Sequence, residues 1–212
     1  SPFDYKYDFC GTVCVSGRAI CAVVSCFLRK IEYTGSNRKR LAAADEGRTG
    51  KRSQYMKTGL VLEGGAMRGM FTAGVLDVLM EHGLTTDGTI GVSAGAVFGC
   101  NFKSHQIGRV IRYNTEYCND KRYASFKNLV KTGNLYSEQF CYHEVPEKLD
   151  PFDEAAFAAS PMDFFVVCTD VKTGEPIYHK CRKGDAEDVR WMEASASMPL
   201  AAKIVKIGHY GL

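Results

Sequence analysis

One junction constrains this chain more than any other. The run Thr89-Ile90-Gly91-Val92 is short, apolar and β-branched, and it passes with no spacer into Ser93-Ala94-Gly95-Ala96-Val97-Phe98, small and apolar residues suited to a helix buried against a sheet. An earlier stretch repeats the grammar: Gly59-Leu60-Val61-Leu62 reads as a strand and Glu63 to Gly69 as a loop. Met70 to His82 then places Phe71, Val75, Val78, Leu79 and His82 at helical spacing, with Gly83 as the expected cap. Two strand-loop-helix units in succession require parallel strands with a helical crossover, so the chain is expected to be α/β, a mostly parallel central sheet flanked by helices. Further along, Phe164 to Thr169 reads as a strand, Lys172 to Glu175 as a turn, and Ile177 to His179 as the pairing strand. A helix from Asp185 to about Ser197 follows, with Asp185 as N-cap and Asp188 at the capping-box position, and Ala202 to Ile207 reads as a final strand. The stretch from Lys103 to Asp153 has no clean period and is expected to form irregular helices.

The chain has 212 residues, 45% of them hydrophobic, enough for one sizeable core and an appendage. Its formal charge of +3 hides an uneven split: residues 1 to 55 hold 10 Lys or Arg and 5 Asp or Glu, leaving 17 against 19 for the rest. A near-neutral body argues against nucleic acid as a partner. Residues 34 to 54 have linker composition and Met56 opens the first patterned segment, so residues 1–55 are expected to be an extension outside the fold and 56–212 the domain. Residues 13 to 28 are apolar but broken by Gly17-Arg18 and short for a membrane span, and Asp4 and Asp8 sit where a signal peptide would be basic. The nine cysteines include no C-x-x-C pair, which points to a reducing compartment and mostly buried thiols; Cys10, Cys14, Cys21 and Cys26 alternatively suggest a zinc cluster, against which the apolar residues between them weigh.

Gly91-Val92-Ser93-Ala94-Gly95 satisfies G-x-S-x-G, in which glycines two residues either side of the serine leave room for a strained strand-to-helix turn. The spacing alone is common; its position at a strand-helix junction makes Ser93 the candidate nucleophile, with the helix N-terminus favouring negative charge beside it. The loop Gly64-Gly65-Ala66-Met67-Arg68-Gly69 fits neither G-x-G-x-x-G nor a P-loop, leaving a tight structural turn or an anion site built from N–H groups; its place one crossover before Ser93 favours the latter. Of the five histidines, only His209 comes late enough for a Ser-Asp-His order, and all five have plainer readings: helix end, polar stretch, hairpin or turn. Asp170 reads as a turn residue, and Trp191 and Met192 as core.

Four ordered blocks carry a resemblance. Leu62 to Gly69 with Ala73-Gly74-Val75-Leu76, then Gly91 to Ala96, then Cys168 to Glu175, then Ala194-Ser195-Ala196-Ser197-Met198-Pro199 resemble the bacterial branch of the patatin-like phospholipases, over about Met56 to Leu212. The resemblance implies a three-layer α/β/α fold and hydrolysis of lipid acyl esters by a serine-aspartate dyad, without cofactor or metal. It implies Ser93 as nucleophile, Gly64, Gly65 and Ala66 around the oxyanion, Arg68 fixing that loop, and Gly91 and Gly95 shaping the elbow. A lipid or acyl ester is then the substrate, transient membrane contact is expected, and the location is cytoplasmic or peripheral to the membrane. The sequence departs from the family in one place: its aspartate lies in an Asp-Gly-Gly or Asp-Gly-Ala step beyond the final strand, and the only Asp-Gly here is Asp87-Gly88, before the serine. The 212 residues are therefore expected to be a fragment of low activity. A non-catalytic lipid-binding module and a thioesterase using His209 are the alternatives.

Overall fold

A computed structural model describes residues 29–31 and 57–212. Five strands form one sheet in chain order: β1 (Arg29–Ile31), β2 (Lys57–Leu62), β3 (Gly88–Val92), β4 (Asp163–Thr169) and β5 (Pro176–Cys181). The central three are parallel, with Leu60 opposite Thr89 and Gly91 opposite Val166, while β1 and β5 run antiparallel at the margins. Connection length explains the pattern. Helix α1 (Gly69–Glu81) carries the chain back between β2 and β3, whereas β4 turns into β5 within a few residues, where Asp170 accepts bonds from the Lys172 N–H and the Thr173 hydroxyl. The expected α/β class, mostly parallel sheet and flanking helices are thus observed, and Asp170 is the turn residue it was read as. Gly83 follows α1 at φ 66°, as the expected cap.

Helix α2 (Ala94–Lys103) starts directly after β3, and every residue of it except Val97 is buried. Small side chains let it lie close: Ala96 is wholly buried, and a Cβ at Gly99 would run into Leu62 and Phe164. Leu60, Leu62, Phe164, Val166 and Cys168 point to the same face as α2, because alternate strand residues share a face. Helix α6 (Ala186–Ala196) completes that layer with Trp191 and Met192, both core residues as expected. Of the three-layer arrangement implied by the resemblance, the described residues lay out the sheet and this helical layer; Val61, Val92 and Tyr178 on other strand positions are exposed.

The patternless middle resolves into α3 (Arg109–Tyr117), α4 (Phe126–Thr132), a π-helix over Phe140–Leu149 and α5 (Glu154–Ala159). Pro146 inside the π-helix has no N–H to donate, and such wide turns accommodate an interrupted ladder. Here tertiary contacts rather than period set the structure. Buried Arg109 reaches the Asn101 side chain (2.9 Å) and the Asp150 carbonyl, while Arg112 forms a two-pronged pair with the Asp150 carboxylate, 2.7 Å at each oxygen.

Two expectations need correction. Asp188 does not complete a capping box: the Asp185 side chain caps α6 through the Asp188 N–H, but the Asp188 carboxylate turns to His179 and to the loop before the helix. The final strand does not span 202 to 207. The Ala201 and Ala202 N–H groups turn back to Met198 and Lys203 N–H goes to Asn134, so the ladder is a short hairpin, β6 (Lys206–Ile207) with β7 (Tyr210–Gly211).

All five described cysteines are free: Cys100, Cys168 and Cys181 are buried, Cys141 is half-buried and Cys118 is exposed. Burial pushes the Cys100, Cys141 and Cys168 thiols up to about 12 and Cys181 higher still, so the buried ones stay protonated and unreactive. The four N-terminal cysteines, the apolar run 13–28 and the boundary at Met56 lie outside the described residues. No helix among the described residues is long and apolar enough to cross a membrane.

Candidate active site

Ser93 sits at φ 53°, ψ −121°, a conformation that costs a side-chain-bearing residue about 1–3 kcal/mol and persists only where its surroundings enforce it. They do so on three sides. Gly91 and Gly95 pack so closely that a Cβ on Gly91 would collide with the Gly95 carbonyl, and one on Gly95 with the carbonyls of Leu62 and Glu63 at the end of β2. The Ser93 carbonyl accepts from the N–H groups of Ala96 (2.9 Å) and Val97 (3.0 Å), fixing the first turn of α2. From 102 residues away, the Ser195 Oγ accepts the Ser93 N–H at 2.8 Å and donates its own proton to the Val167 carbonyl at 2.6 Å. Ser195 thus ties the elbow to the end of β4. Its only sequence signal is its place in the Ala194 to Pro199 block, to which no role was attached.

The glycine loop meets the elbow. A Cβ on Gly64 would lie 2.9 Å from the Ser93 Cβ and 3.6 Å from its Oγ, so the bare backbone of Gly64 is what permits the approach. Among the described residues neither Gly64 nor Gly65 donates its N–H to another backbone group, while Arg68 N–H closes a turn on the Gly65 carbonyl at 3.0 Å. Ala66 opens a single 3₁₀ turn at φ 47°, and the Arg68 guanidinium lies over Gly65, whose Cβ would be 3.5 Å from Nε. Gly64, Gly65, Ala66, Arg68, Gly91, Ser93 and Gly95 therefore converge on one place. Among the described residues the Ser93 hydroxyl has no hydrogen-bond partner. Asp87 is bonded to the Thr58 N–H and hydroxyl at the opposite end of β3, and exposed His209 packs against Tyr210 with ring centres 3.9 Å apart and planes tilted by 39°.

Behind the elbow lies a cavity of about 160 Å³ reached by Ala66, Met67 and Ser93 and walled by Phe98, Tyr113, Tyr136, Tyr142, Val145 and Met192. A cavity of this order has room for a group of about benzene size. Most of its aromatic wall comes from the middle region, whose Tyr and Phe content was visible in the sequence without pointing to a cavity. Two carboxyls line it, Glu138 and Glu193, the latter buried on α6. Burial first, and then the nearby Glu138 carboxylate, raise its pKa to about 7. A raised folded pKa favours the folded state below the unfolded value and loses that advantage as pH climbs toward 7. Relative to Glu193→Gln, the native chain should therefore lose about 3 kcal/mol of stability between pH 4.5 and 7.5, read by urea unfolding at both ends. A gap between the two proteins that stays constant with pH would contradict this placement of Glu193.

A second cluster lies on β5 and α6. His179, Cys181 and Asp188 bring ligand-type atoms within 4.8 Å of one another, a trio that spacing did not suggest. Its atoms are engaged with each other and with the backbone: Asp188 Oδ2 accepts the N–H groups of Arg182, Lys183 and Gly184, and Oδ1 meets His179 Nε2 at 3.0 Å. The His179 ring stacks flat on Trp191 at 4.3 Å. This is a structural clasp between strand and helix.

Fold and geometry define an α/β protein with a strand-serine-helix elbow, a facing glycine loop and an apolar cavity. The sequence profile of the patatin-like phospholipases matches residues 60–212, and the chain belongs to that family of lipid acyl hydrolases. No curated protein matches it.

Proposed function

We propose that this chain carries the nucleophile and the oxyanion site of a lipid acyl-ester hydrolase. The observation that carries the proposal is the convergence of a strained serine, a glycine loop with undonated N–H groups and an apolar cavity in a patatin-like domain. In this reading the Ser93 Oγ attacks the ester carbonyl, the acyl chain lies in the cavity, and the N–H groups of Gly64, Gly65 and Ala66 receive the oxyanion. Electrostatic stabilisation of this kind is commonly the largest single contribution to acyl transfer. Arg68 holds the loop, and Ser195 positions the elbow without touching substrate. A cytoplasmic site of action with membrane contact accords with the free thiols and a lipid substrate.

The proposal includes low activity for these 212 residues. The Ser93 hydroxyl meets no base among the described residues, and removing the base from comparable sites costs several orders of magnitude while leaving the oxyanion contribution. The same bare hydroxyl favours a second reading, a lipid-binding module of the same fold. Hydrolysis of a soluble hexanoyl ester separates the two. A hydrolase gives a slow acyl transfer that vanishes in Ser93→Ala, whereas a binding module gives a background rate identical in both proteins.

A further inference from the structure

We infer that helix α4 and the turn Met198–Lys206 form a docking face for an anionic lipid bilayer beside the mouth of the Ser93 cavity, an inference that rests on the lipid-hydrolase reading. The face is apolar and exposed. Phe126 and Val130, one turn apart on α4, are 74% and 75% exposed, and Leu200 is 97% exposed in a left-handed conformation, φ 67°. Met198 and Ile204 are exposed as well. The two pieces touch: Leu135 N–H donates to the Ala201 carbonyl at 2.8 Å, Lys203 N–H donates to Asn134 Oδ1 at 2.7 Å, and the Lys203 stem lies over Gly133 at the end of α4. Asn134, Met198, Ala201 and Ala202 also line the cavity that Ser93 lines, so the face adjoins its opening.

Charge selects the occupant. Residues 121–137 and 194–212 contain no Asp or Glu, although the chain from Met56 onward carries slightly more acid than base. The four lysines on this face, Lys127, Lys131, Lys203 and Lys206, form no ion pair among the described residues, unlike Arg122, which is held by Asp120 and Glu144. Large exposed apolar side chains interleaved with unpaired lysines are the composition of surfaces that lie in the headgroup region, the rings and branched chains entering the acyl boundary and the ammonium groups meeting anionic heads. A lipid leaving such a bilayer meets the cavity mouth at Met198 and Ala201.

The test is co-sedimentation of the full chain with vesicles of phosphatidylcholine alone or with one third phosphatidylglycerol. Residues 1–55 are themselves basic, so variants of the face decide the matter. The double variants Phe126→Glu with Leu200→Glu, and Lys127→Glu with Lys131→Glu, change exposed side chains; unchanged circular dichroism establishes that they fold. Binding to the anionic vesicles should fall about tenfold or more in each, through about fivefold per lysine removed in the one and through lost apolar insertion and added negative charge in the other, and the wild type should release at high salt. Labelling of Ser93 by a soluble fluorophosphonate should not change in either. Equal anionic-vesicle binding by wild type and both variants, no such binding by the wild type, or self-association through this face in place of vesicle binding would each overturn the inference. Intact vesicle binding with Ser93 unlabelled would instead remove the hydrolase reading and leave the face standing.

Discussion

Gly95→Ala is expected to destabilise the fold by about 4 kcal/mol or to prevent folding. The added Cβ would sit 2.7 Å from the Glu63 carbonyl oxygen and closer still to that of Leu62. Both obstacles are backbone at the end of a central strand, so no side chain can rotate away. Relief requires α2 to move off β2, opening the layer that contains Ala96, Phe98 and Phe102. Overpacking commonly costs about 1–3 kcal/mol where side chains can give, and more where they cannot. The internal control is Gly74→Ala on α1, where an added Cβ meets nothing within 4 Å; there the same change should be neutral or stabilise by up to about 1 kcal/mol. Denaturation midpoints that move equally in the two variants would show that the close approach of α2 to β2 is wrong.

The second large effect belongs to Asp188. Its carboxylate is buried and receives three backbone N–H groups, each at 2.8 Å, and the His179 ring. Burial alone would raise its pKa; these partners, His179 first, outweigh that and hold it down to about 2. Asp188→Ala strands the three donors in the loop before α6 and releases the ring stacked on Trp191, for an expected loss of about 3–4 kcal/mol at neutral pH. The sign of the pH dependence follows from the depressed value: the contribution is present above the ordinary aspartate range and is lost as pH falls through about 2. The difference in unfolding free energy between native and variant should therefore be widest at neutral pH and shrink in acid. A difference that grows in acid would contradict the clasp.

These two sites mark what was legible in the sequence. The Ser93 elbow was legible because all its requirements are local: a strand of period two, glycines two residues either side, and small residues opening a helix. That the glycine loop lies beside Ser93 was legible only through its order in the chain, and the approach depends on how β2 and β3 align. The Asp188 clasp was not legible, since a capping-box position predicts the near partner and burial supplied distant ones instead. Ser195 was missed for the same reason, its partners Ser93 and Val167 being 102 and 28 residues away. In the middle region Arg109, Asn101 and Asp150 organise helices whose sequence has no period to read. The final strand was overread because the apolar run from Ala202 is spent on a turn beside the cavity.

The most direct test of the central claim is the rate at which a fluorophosphonate ester labels the folded 212-residue chain as a function of pH, with the adduct located by mass spectrometry and Ser93→Ala alongside. The account predicts an adduct on Ser93 alone, absent from the variant, formed slowly and with a rate that keeps rising with pH because hydroxide rather than a side chain takes the proton. An adduct on another residue, or none on Ser93 at any pH at which the protein is folded, would contradict Ser93 as the nucleophile. A plateau near neutrality would contradict the reading that no base among the described residues serves Ser93.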